Sequence, residues 1–529
     1  MPQNDINADV LIIGSGAIGA TFARLLVESG QKVLMVEAGK QLSDRPGEHL
    51  RNTFRYQQEP NMFTDTIMSQ LDAYSVAAGF FPHSRTVFRQ NFENLNQKWW
   101  RNMPAASAVY AVGGMMTLWT ASTPDPASFE RAPFIPTEDW TRMLELAKWL
   151  LKVNTDVFEH SLLGKVVQKR LQQKGFSLDT LQQAAERLPV DDPRAFFIKW
   201  TGVDTILGPL LDDPKYQPSF KILAQHRAEK LSRTGAQVTS ATVRDLTTFT
   251  TFEVHAKTFI VAGGPFLTPR LLWESGITPP ALGHYLNDNL ETSCHVIVDP
   301  DILQDMKSMP GNPHGAKPIP IAHNDPGPAL GTTPTPEKPW HGQMHRLGRQ
   351  FLYLPGVDVR EQVHLTWYGT VDISYENCIT FGKQKDRFGL PQITIDFRYS
   401  RNDWIRAVRM WWDMVRTANA IGRIQGLPML SPPGSTLHLQ GTYRMGDDVT
   451  QDDSTSVTNS FSRVWGFDNL YLGGLGIIPN SMASNPTLTA CALAVRSAAQ
   501  ISGHSLGEFA SSFERYSGQP LSGQVAESA

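Results

Sequence analysis

Three glycines and a glutamate near the start of the chain have the types and spacing needed to hold a nucleotide. Gly14, Gly16 and Gly19 form G-x-G-x-x-G inside ADVLIIGSGAIGATFARLLVESGQKVLMVEAGK. The first glycine permits a tight turn, and the second lets the backbone approach a pyrophosphate. The third lets a helix pack closely on the preceding strand. Glu37 closes the next apolar run, where a carboxylate accepts hydrogen bonds from ribose hydroxyls and repels the extra phosphate of NADP. Together these predict a bound adenine dinucleotide, whereas a glycine triplet alone would mark only a turn. A second group lies at 110–126, YAVGGMMTLWTASTPDP. Gly113 and Gly114 let backbone approach a flat group, and Thr117, Trp119, Thr120, Ser122 and Thr123 add small polar groups beside an indole. A tight structural loop is the other reading. A third group is C-terminal: His438 stands at the mouth of a glycine turn in LHLQGTYRMG, and Asn485 precedes Pro486 and Thr487 at a helix start. Such an asparagine is a cap or a ligand. Neutral imidazole, with a reference pKa of about 6.5, accepts protons at physiological pH, but a His and an Asn so far apart decide nothing by themselves.

The elements that must position these groups follow from the apolar pattern. Residues 10–13 read as a strand buried on both faces, 20–27 as a helix whose N-terminus faces the phosphates, and 33–36 as a second strand. Residues 41–104 are polar and aromatic, of mixed helical and irregular character. Trp140, Met143, Leu144, Ala147 and Leu151 predict a helix over 138–155. From Lys221, LAQHRAEKL, QVTSATVRDL and TFEVHAKTFIVAGG read as a small sheet feeding a last buried strand at 259–262. Thr268 and Pro269 are then placed to start a helix that stops near Gly276. Nine prolines between 310 and 339 predict an extended surface segment with neither core strand nor helix. Strand-like pieces VHLTWYGTVDIS, NCITF and PQITIDFRY precede an amphipathic helix at 404–421, with Arg406, Arg409, Asp413 and Arg416 on its wet side.

Two apparent motifs carry little. His341 and His345 have the i, i+4 spacing of zinc ligands on a helix, but no flanking Glu or third ligand accompanies them, which favours a structural role. Gly503-His504-Ser505-Leu506-Gly507 matches a hydrolase nucleophile elbow, yet a helix-like run rather than a buried strand precedes the serine.

The totals bound the rest. A chain of 529 residues, 41% apolar and 19% charged, is long enough for two or three domains. A net charge of -3 offers no positive reservoir, so nucleic acid is not an expected partner. Three scattered cysteines suggest neither a disulfide framework nor a metal site. With no signal-like start and no apolar run of membrane-spanning length, the expectation is a soluble cytoplasmic protein without a membrane partner.

The order of DVLIIGSGAIG, VGGMMTLWTASTP, AGGPFLTPRLLWESGI, PWHGQMH, LPQITIDFRYS, LHLQGTYRMG, RVWGFDNLYLGG and SNPTLTA over almost the whole length resembles the glucose–methanol–choline oxidoreductase family, within it the pyranose oxidase branch. The resemblance implies an α/β fold: an FAD-binding Rossmann-like domain (1–50, 105–135, 215–300 and 433–529) interleaved with a substrate domain (51–104, 136–214 and 301–432) built on a mostly antiparallel sheet plus helices. It implies FAD on Gly14, Gly16, Gly19, Glu37, Gly113, Gly114, Thr117, Asn485 and Thr487. His438 and Asn485 become catalytic and substrate-binding, Thr120 lies beside the reacting flavin nitrogen, and Gln392 and Asp396 bind sugar, with 397–400 as a mobile substrate loop. The activity implied is oxidation of a secondary hydroxyl, at carbon 2 or 3, of a pyranose or glycoside. Dioxygen reoxidises the flavin to give hydrogen peroxide, or a quinone does so. Leu118 stands where fungal members carry a flavin-linking histidine, so the FAD is expected to be non-covalent. The chain is also shorter than those members, which leaves their tetrameric state open. A quinone-dependent dehydrogenase, a redox-inert lyase and a nucleotide sensor remain as rival readings.

Overall fold

The computed structural model describes residues 5–53, 73–75, 94, 96–98, 100–189, 197–346, 357–386 and 388–517. Most of 41–104, and the C-terminal tail, therefore lie outside the described residues. Two large sheets organise the rest. The first has seven strands, beginning with Ile6–Ile13, whose apolar residues 10–13 are buried on both sides. It pairs in parallel with Val33–Glu37 on one side and with Thr251–Val261 on the other. Phe220–Ala224 extends the sheet in parallel beyond Val33–Glu37.

Thr251–Val261 is shared along its length. Its first residues pair antiparallel with Gln237–Asp245, which in turn pairs with His226–Thr234. Its last residues, Phe259 to Val261, pair in parallel with Leu470–Leu472. The helices Ala17–Glu28, Gly264–Glu274 and Thr487–Ile501 follow the turns at the sheet's carboxyl edge. This is the mixed α/β, Rossmann-like arrangement expected.

The second sheet has six strands in the order Gly422–Leu430, Leu290–Val298, Gln362–Gly369, Trp340–His345, Ala329–Gly331 and Asp179–Thr180, all antiparallel. One face packs on the helix Arg401–Ile421, with Cys294, Val296, Val363, Leu365, Met344 and Met410 in a common core. Ser400 starts that helix by accepting from the Asp403 N–H, while the Asp403 carboxylate accepts from the Ser400 N–H. The other face is polar and looks towards the first sheet's carboxyl edge.

Several readings of the sequence are corrected or narrowed by the structure. The strand Leu290–Val298, inside the 215–300 segment expected on the nucleotide side, pairs among the described residues with Gln362–Gly369 and Gly422–Leu430. The helix after the glycine pair begins at Gly264, and Pro269 lies inside it. Proline cannot donate to the carbonyl four residues back; that oxygen, on Pro265, instead accepts from the Thr442 hydroxyl at 2.6 Å. Within the proline-rich segment, Ala329–Gly331 forms a buried strand, since Pro328 and Pro334 leave its three N–H groups intact. His341 and His345 lie on a strand, not a helix. Asp413 is not a solvated charge: it accepts from Lys338 at 2.9 Å and from the indole N–H groups of Trp340 and Trp367 at 3.0 and 3.3 Å. Ser505 caps the helix Leu506–Ser517 through Glu508, which disposes of the nucleophile elbow.

Candidate active site

A cavity of about 730 Å³ lies between the two sheets. Its floor is the glycine turn. Gly14 has φ +105°, and a Cβ there would meet the Ala262 oxygen at 2.5 Å, while a Cβ on Gly19 would meet the Gly14 oxygen at 2.1 Å. Both positions are therefore closed to any other residue. Gly16 faces open space and Gly114 approaches it, with a Cβ on Gly114 only 3.6 Å from the Gly16 Cα. Glu37 is buried at the end of its strand. Its carboxylate accepts from the Ser15 N–H (3.0 Å), the Ser15 hydroxyl (2.8 Å) and the Gly39 N–H (2.8 Å), and burial raises its pKa above the ordinary value. Ser15 Oγ also accepts from the Gly113 N–H at 3.0 Å, tying the second glycine loop to the first.

The start of each of the three helices that follow the sheet's carboxyl edge contributes residues to this wall: Gly16 and Ala17, Gly263 and Gly264, and Asn485 and Thr487. First-turn N–H groups have no partner within their own helix and carry the positive end of the dipole. Three such ends around one cavity suit an anionic dinucleotide, and the glycine cradle admits its backbone-hugging phosphates. The donor set fits FAD. Gly14, Gly16, Glu37, Gly114, Thr120, Asn485 and Thr487 line the cavity. Gly19, Gly113 and Thr117 do not line it; they shape it from behind. Gly19 packs on Gly14, Gly113 holds a left-handed turn against Gly47, and the Thr117 hydroxyl donates to the Gly114 oxygen at 2.8 Å. Trp119 lines the cavity with its indole N–H fixed to the Thr201 oxygen at 2.8 Å.

His438 and Asn485, 47 residues apart in sequence, meet at the far end: Asn485 Nδ2 lies 3.1 Å from His438 Nε2. Hydrogen-bond accounting fixes the state of the ring. Asn289 Nδ2 donates to the Met482 carbonyl at 2.5 Å, so its Oδ1 is the atom facing His438 Nδ1 at 2.9 Å. An amide oxygen only accepts, and Nδ1 must therefore carry the proton. Gln343 Nε2 donates to Asn485 Oδ1, which turns the Asn485 amide nitrogen towards Nε2. Nitrogen of an amide only donates, so Nε2 presents its lone pair. Asp288, fully buried, holds the same loop by accepting from the backbone N–H of Gly434 (3.0 Å) and His438 (3.1 Å) and from the Thr436 hydroxyl. Burial raises the Asp288 carboxyl to about 6 and pushes the His438 imidazole down to about 3, with His341 adding to the latter. Glu130 anchors the other partner: its carboxylate accepts from the N–H groups of Ala483 (2.5 Å) and Ser484 (3.0 Å) and from the Ser484 hydroxyl (2.8 Å).

Asn289, Gln343, Asp288 and Glu130 were not singled out from sequence. The clustered amides and acid of LNDNL and the glutamine between two flagged histidines were the available signals. Gln392 and Asp396 do not line the cavity; Pro391 does. Asp396 instead pairs with Arg101 at 2.5 Å, and Gln392 is buried with Oε1 unpartnered. In the expected substrate loop, Phe397 is buried and Ser400 is committed to its helix cap. Leu118 is buried beside Leu50. No group of His, Cys, Asp or Glu among the described residues is arranged to hold a metal, and no helix there is long and apolar enough to cross a membrane.

A parallel nucleotide-binding sheet joined to an antiparallel polar roof, with an imidazole base and an amide between them, defines a dinucleotide-dependent oxidoreductase. GMC oxidoreductase models match residues 128–291 and 374–494. The pyranose 2-oxidase of Tricholoma matsutake is 34% identical over 93% of this chain and 93% of its own length. The C-glycoside 3-oxidase of Arthrobacter globiformis is 30% identical over 93% of this chain and 94% of its own. Among solved structures, a formate oxidase of Aspergillus oryzae covers 95% of this chain and 99% of its own at a TM-score of 0.64 and 14% identity, a likeness of fold. The chain belongs to the GMC oxidoreductase family, as the order of its motifs implied, and FAD is its cofactor.

Proposed function

We propose that the protein oxidises a secondary hydroxyl, at carbon 2 or 3, of a pyranose or glycoside to the ketone. One observation carries the reading: the directional hydrogen-bond chain through Gln343, Asn485, His438 and Asn289 leaves an unprotonated nitrogen on the cavity wall. When bound, FAD supplies the acceptor for the carbon-bound hydride. The protein's part is the proton. His438 Nε2 takes it from the sugar hydroxyl, whose acidity rises as the carbonyl forms, so the base acts most strongly at the transition state. Asn485 Nδ2 has two hydrogens: one faces Nε2, and the other is available to the substrate oxygen. Protonation of Nε2 ends the first donation and leaves the amide to the new carbonyl. Asn289 Oδ1 holds the imidazolium that results. The relatives' names, pyranose 2-oxidase and C-glycoside 3-oxidase, support the sugar and the oxidase reading, with dioxygen as acceptor and hydrogen peroxide as product.

Leucine at 118 forms no bond to a flavin, so FAD is held without a covalent link. Acid precipitation should leave all yellow colour in the supernatant; colour in the pellet would contradict this. We propose the expected division into an FAD part and a substrate part, except that Leu290–Val298 pairs with Gln362–Gly369 and Gly422–Leu430 and the helix Thr137–Leu151 shares the core of the first sheet. The three cysteines, unpaired, fit a reducing compartment such as the cytoplasm. The decisive experiment is anaerobic addition of glucose and a panel of glycosides to the yellow holoenzyme. Bleaching is expected, followed by peroxide on admitting air. Persistent yellow with every sugar would refute the reading, and bleaching without peroxide would point to a quinone as acceptor.

A further inference from the structure

The polar face of the six-stranded sheet is ruled into three rungs by strand register. Glu291, Tyr368 and His341 are paired across the first, Ser293, Thr366 and Gln343 across the second, and His295, His364 and His345 across the third. Alternate residues of each strand share a face, so all nine side chains lie on one surface. The first two rungs serve the catalytic pair: the Tyr368 ring lies 5.3 Å from that of His438, and Gln343 donates to Asn485. The third rung has no such duty. Two residues along a strand span about 7 Å, so it stands about 7 Å beyond Gln343 and about 14 Å beyond Tyr368.

His345 and His364 line the same cavity as His438. Their rings are 5.6 Å apart and edge-on at 70°, and His295 backs His364 at 4.7 Å and 33°. These rings are poorly partnered among the described residues. His295 Nδ1 is buried without a hydrogen bond, and His364 Nδ1 has only a 3.4 Å contact to Thr366 Oγ1. His345 makes no side-chain hydrogen bond among the described residues. Buried polar groups are nearly always paired, and two imidazoles, His345 and His364, left open towards a cavity have their partners in what the cavity takes up. Burial lowers the pKa of all three, His345 to about 4 and His364 well below its usual value. Neutral imidazole carries one donor and one acceptor, which matches a hydroxyl and neither a carboxylate nor an ammonium. These rings do not converge on a metal position.

We propose that His364 and His345, with His295 behind them, form a second subsite that binds a hydroxyl-bearing ring attached to the sugar being oxidised. A pyranose at His438 occupies the first two rungs, and its substituent reaches the third. The preferred substrate is then a glycoside rather than a free monosaccharide. This rests on the sugar-oxidising reading above and adds where the remainder of the substrate lies.

The test compares glucose, phenyl β-glucoside, 4-hydroxyphenyl β-glucoside and cellobiose on the holoenzyme and on His364→Phe, which keeps a ring and removes its hydrogen bonds. Dissociation constants come from calorimetry on the dithionite-reduced enzyme and from the concentration dependence of anaerobic flavin reduction. His364→Phe is expected to weaken the hydroxylated ligands relative to glucose and to phenyl glucoside by about three- to tenfold, the range of one hydrogen bond. A change confined to 4-hydroxyphenyl glucoside identifies an aromatic substituent, and one confined to cellobiose identifies a second sugar. Equal weakening of all four ligands, or none, would overturn the subsite. If His364→Phe loses its flavin or its fold, the unaltered enzyme decides. It should bind 4-hydroxyphenyl glucoside or cellobiose more tightly than phenyl glucoside by a similar factor, and ratios near one for both overturn the proposal. Flavin that bleaches with glucose but with no glycoside also overturns it while the sugar reading stands. Flavin that bleaches with nothing removes both.

Discussion

At the scale of single residues, the site depends on which imidazole nitrogen carries a proton. His438→Ala removes the base and should slow flavin reduction by roughly a hundredfold to ten-thousandfold with FAD still bound. Rapid mixing with saturating sugar under argon measures it, and a rate within a few-fold of wild type would sink the assignment. Asn289 acts on the same ring from behind. Asn289→Ala removes the acceptor for Nδ1–H as the imidazolium forms, a charge-assisted bond of about 1.5–3 kcal/mol, or roughly ten- to a hundredfold in rate. Asn289→Asp is the more telling variant. Its carboxylate favours the imidazolium, so the acid limb of the pH–rate profile should move to higher pH. An unmoved limb would mean that Asn289 is only structural. The wild-type limb itself should lie far to the acid side, because the depressed imidazole is neutral at every pH well above about 3. Sequence alone pointed to His438 and Asn485 only through the family likeness, since a lone histidine and a lone asparagine have no spacing signature. Asn289 and Gln343 were beyond that reach, as their roles arise from pairings across distant strands. Gln392 and Asp396 show the converse. Their segment was recognised, but Asp396 is held by Arg101 rather than turned to the cavity.

At the scale of elements, each catalytic side chain rides on a segment tied down by a buried carboxylate. Glu130, from the short helical turn Ser128–Glu130, fixes the backbone of Ala483 and Ser484 just ahead of Asn485. Glu130→Ala would leave those donors unpaired inside the protein. We expect a loss of roughly 2–4 kcal/mol in stability together with slower flavin reduction. Glu130→Gln keeps one accepting oxygen and should recover part of both. Thermal unfolding and single-turnover reduction test this, and an unchanged rate in a destabilised Glu130→Ala would separate Asn485 from the anchor. Local patterns read well at this scale. The first strand, glycine turn, helix and second strand fall where periodicity put them, as does the hairpin that feeds Phe259 to Val261. The failures share a cause, which is compensation from far away. Pro269 is tolerated inside a helix because Thr442 takes the freed carbonyl, and Ala329–Gly331 joins a sheet because two neighbours supply its partners.

At the scale of the whole molecule, five histidines, three of them lining the cavity, make stability depend on pH. His295, His341, His345, His364 and His438 all have folded pKa values below the usual 6.5. Below that pH the unfolded chain binds protons that the native one refuses, so stability present above pH 6.5 is lost as the pH falls towards the folded values. Each fully shifted histidine contributes up to about 1.4 kcal/mol per pH unit in that window. Burial raises the folded pKa of Asp288, to about 6, and of Glu28, Glu37, Glu48 and Asp204, and these carboxyls oppose the trend. The histidine contribution should therefore show as a thermal midpoint that changes less favourably on going from pH 7 to pH 5 in the wild type than in a His345→Gln, His364→Asn double variant; identical profiles would contradict this. The strand Thr251–Val261, shared between an outer hairpin and Leu470–Leu472, has a consequence for biosynthesis. The glycine turn is made long before the residues that finish its sheet, Leu470–Leu472, and Asn485 and Thr487 arrive later still. At a synthesis rate of about 5–20 residues per second, the nascent chain spends roughly twenty seconds to a minute and a half with half a nucleotide pocket and an open parallel edge. Flavin capture should thus wait for this segment, and a chain stopped short of Leu470 should leave the ribosome colourless.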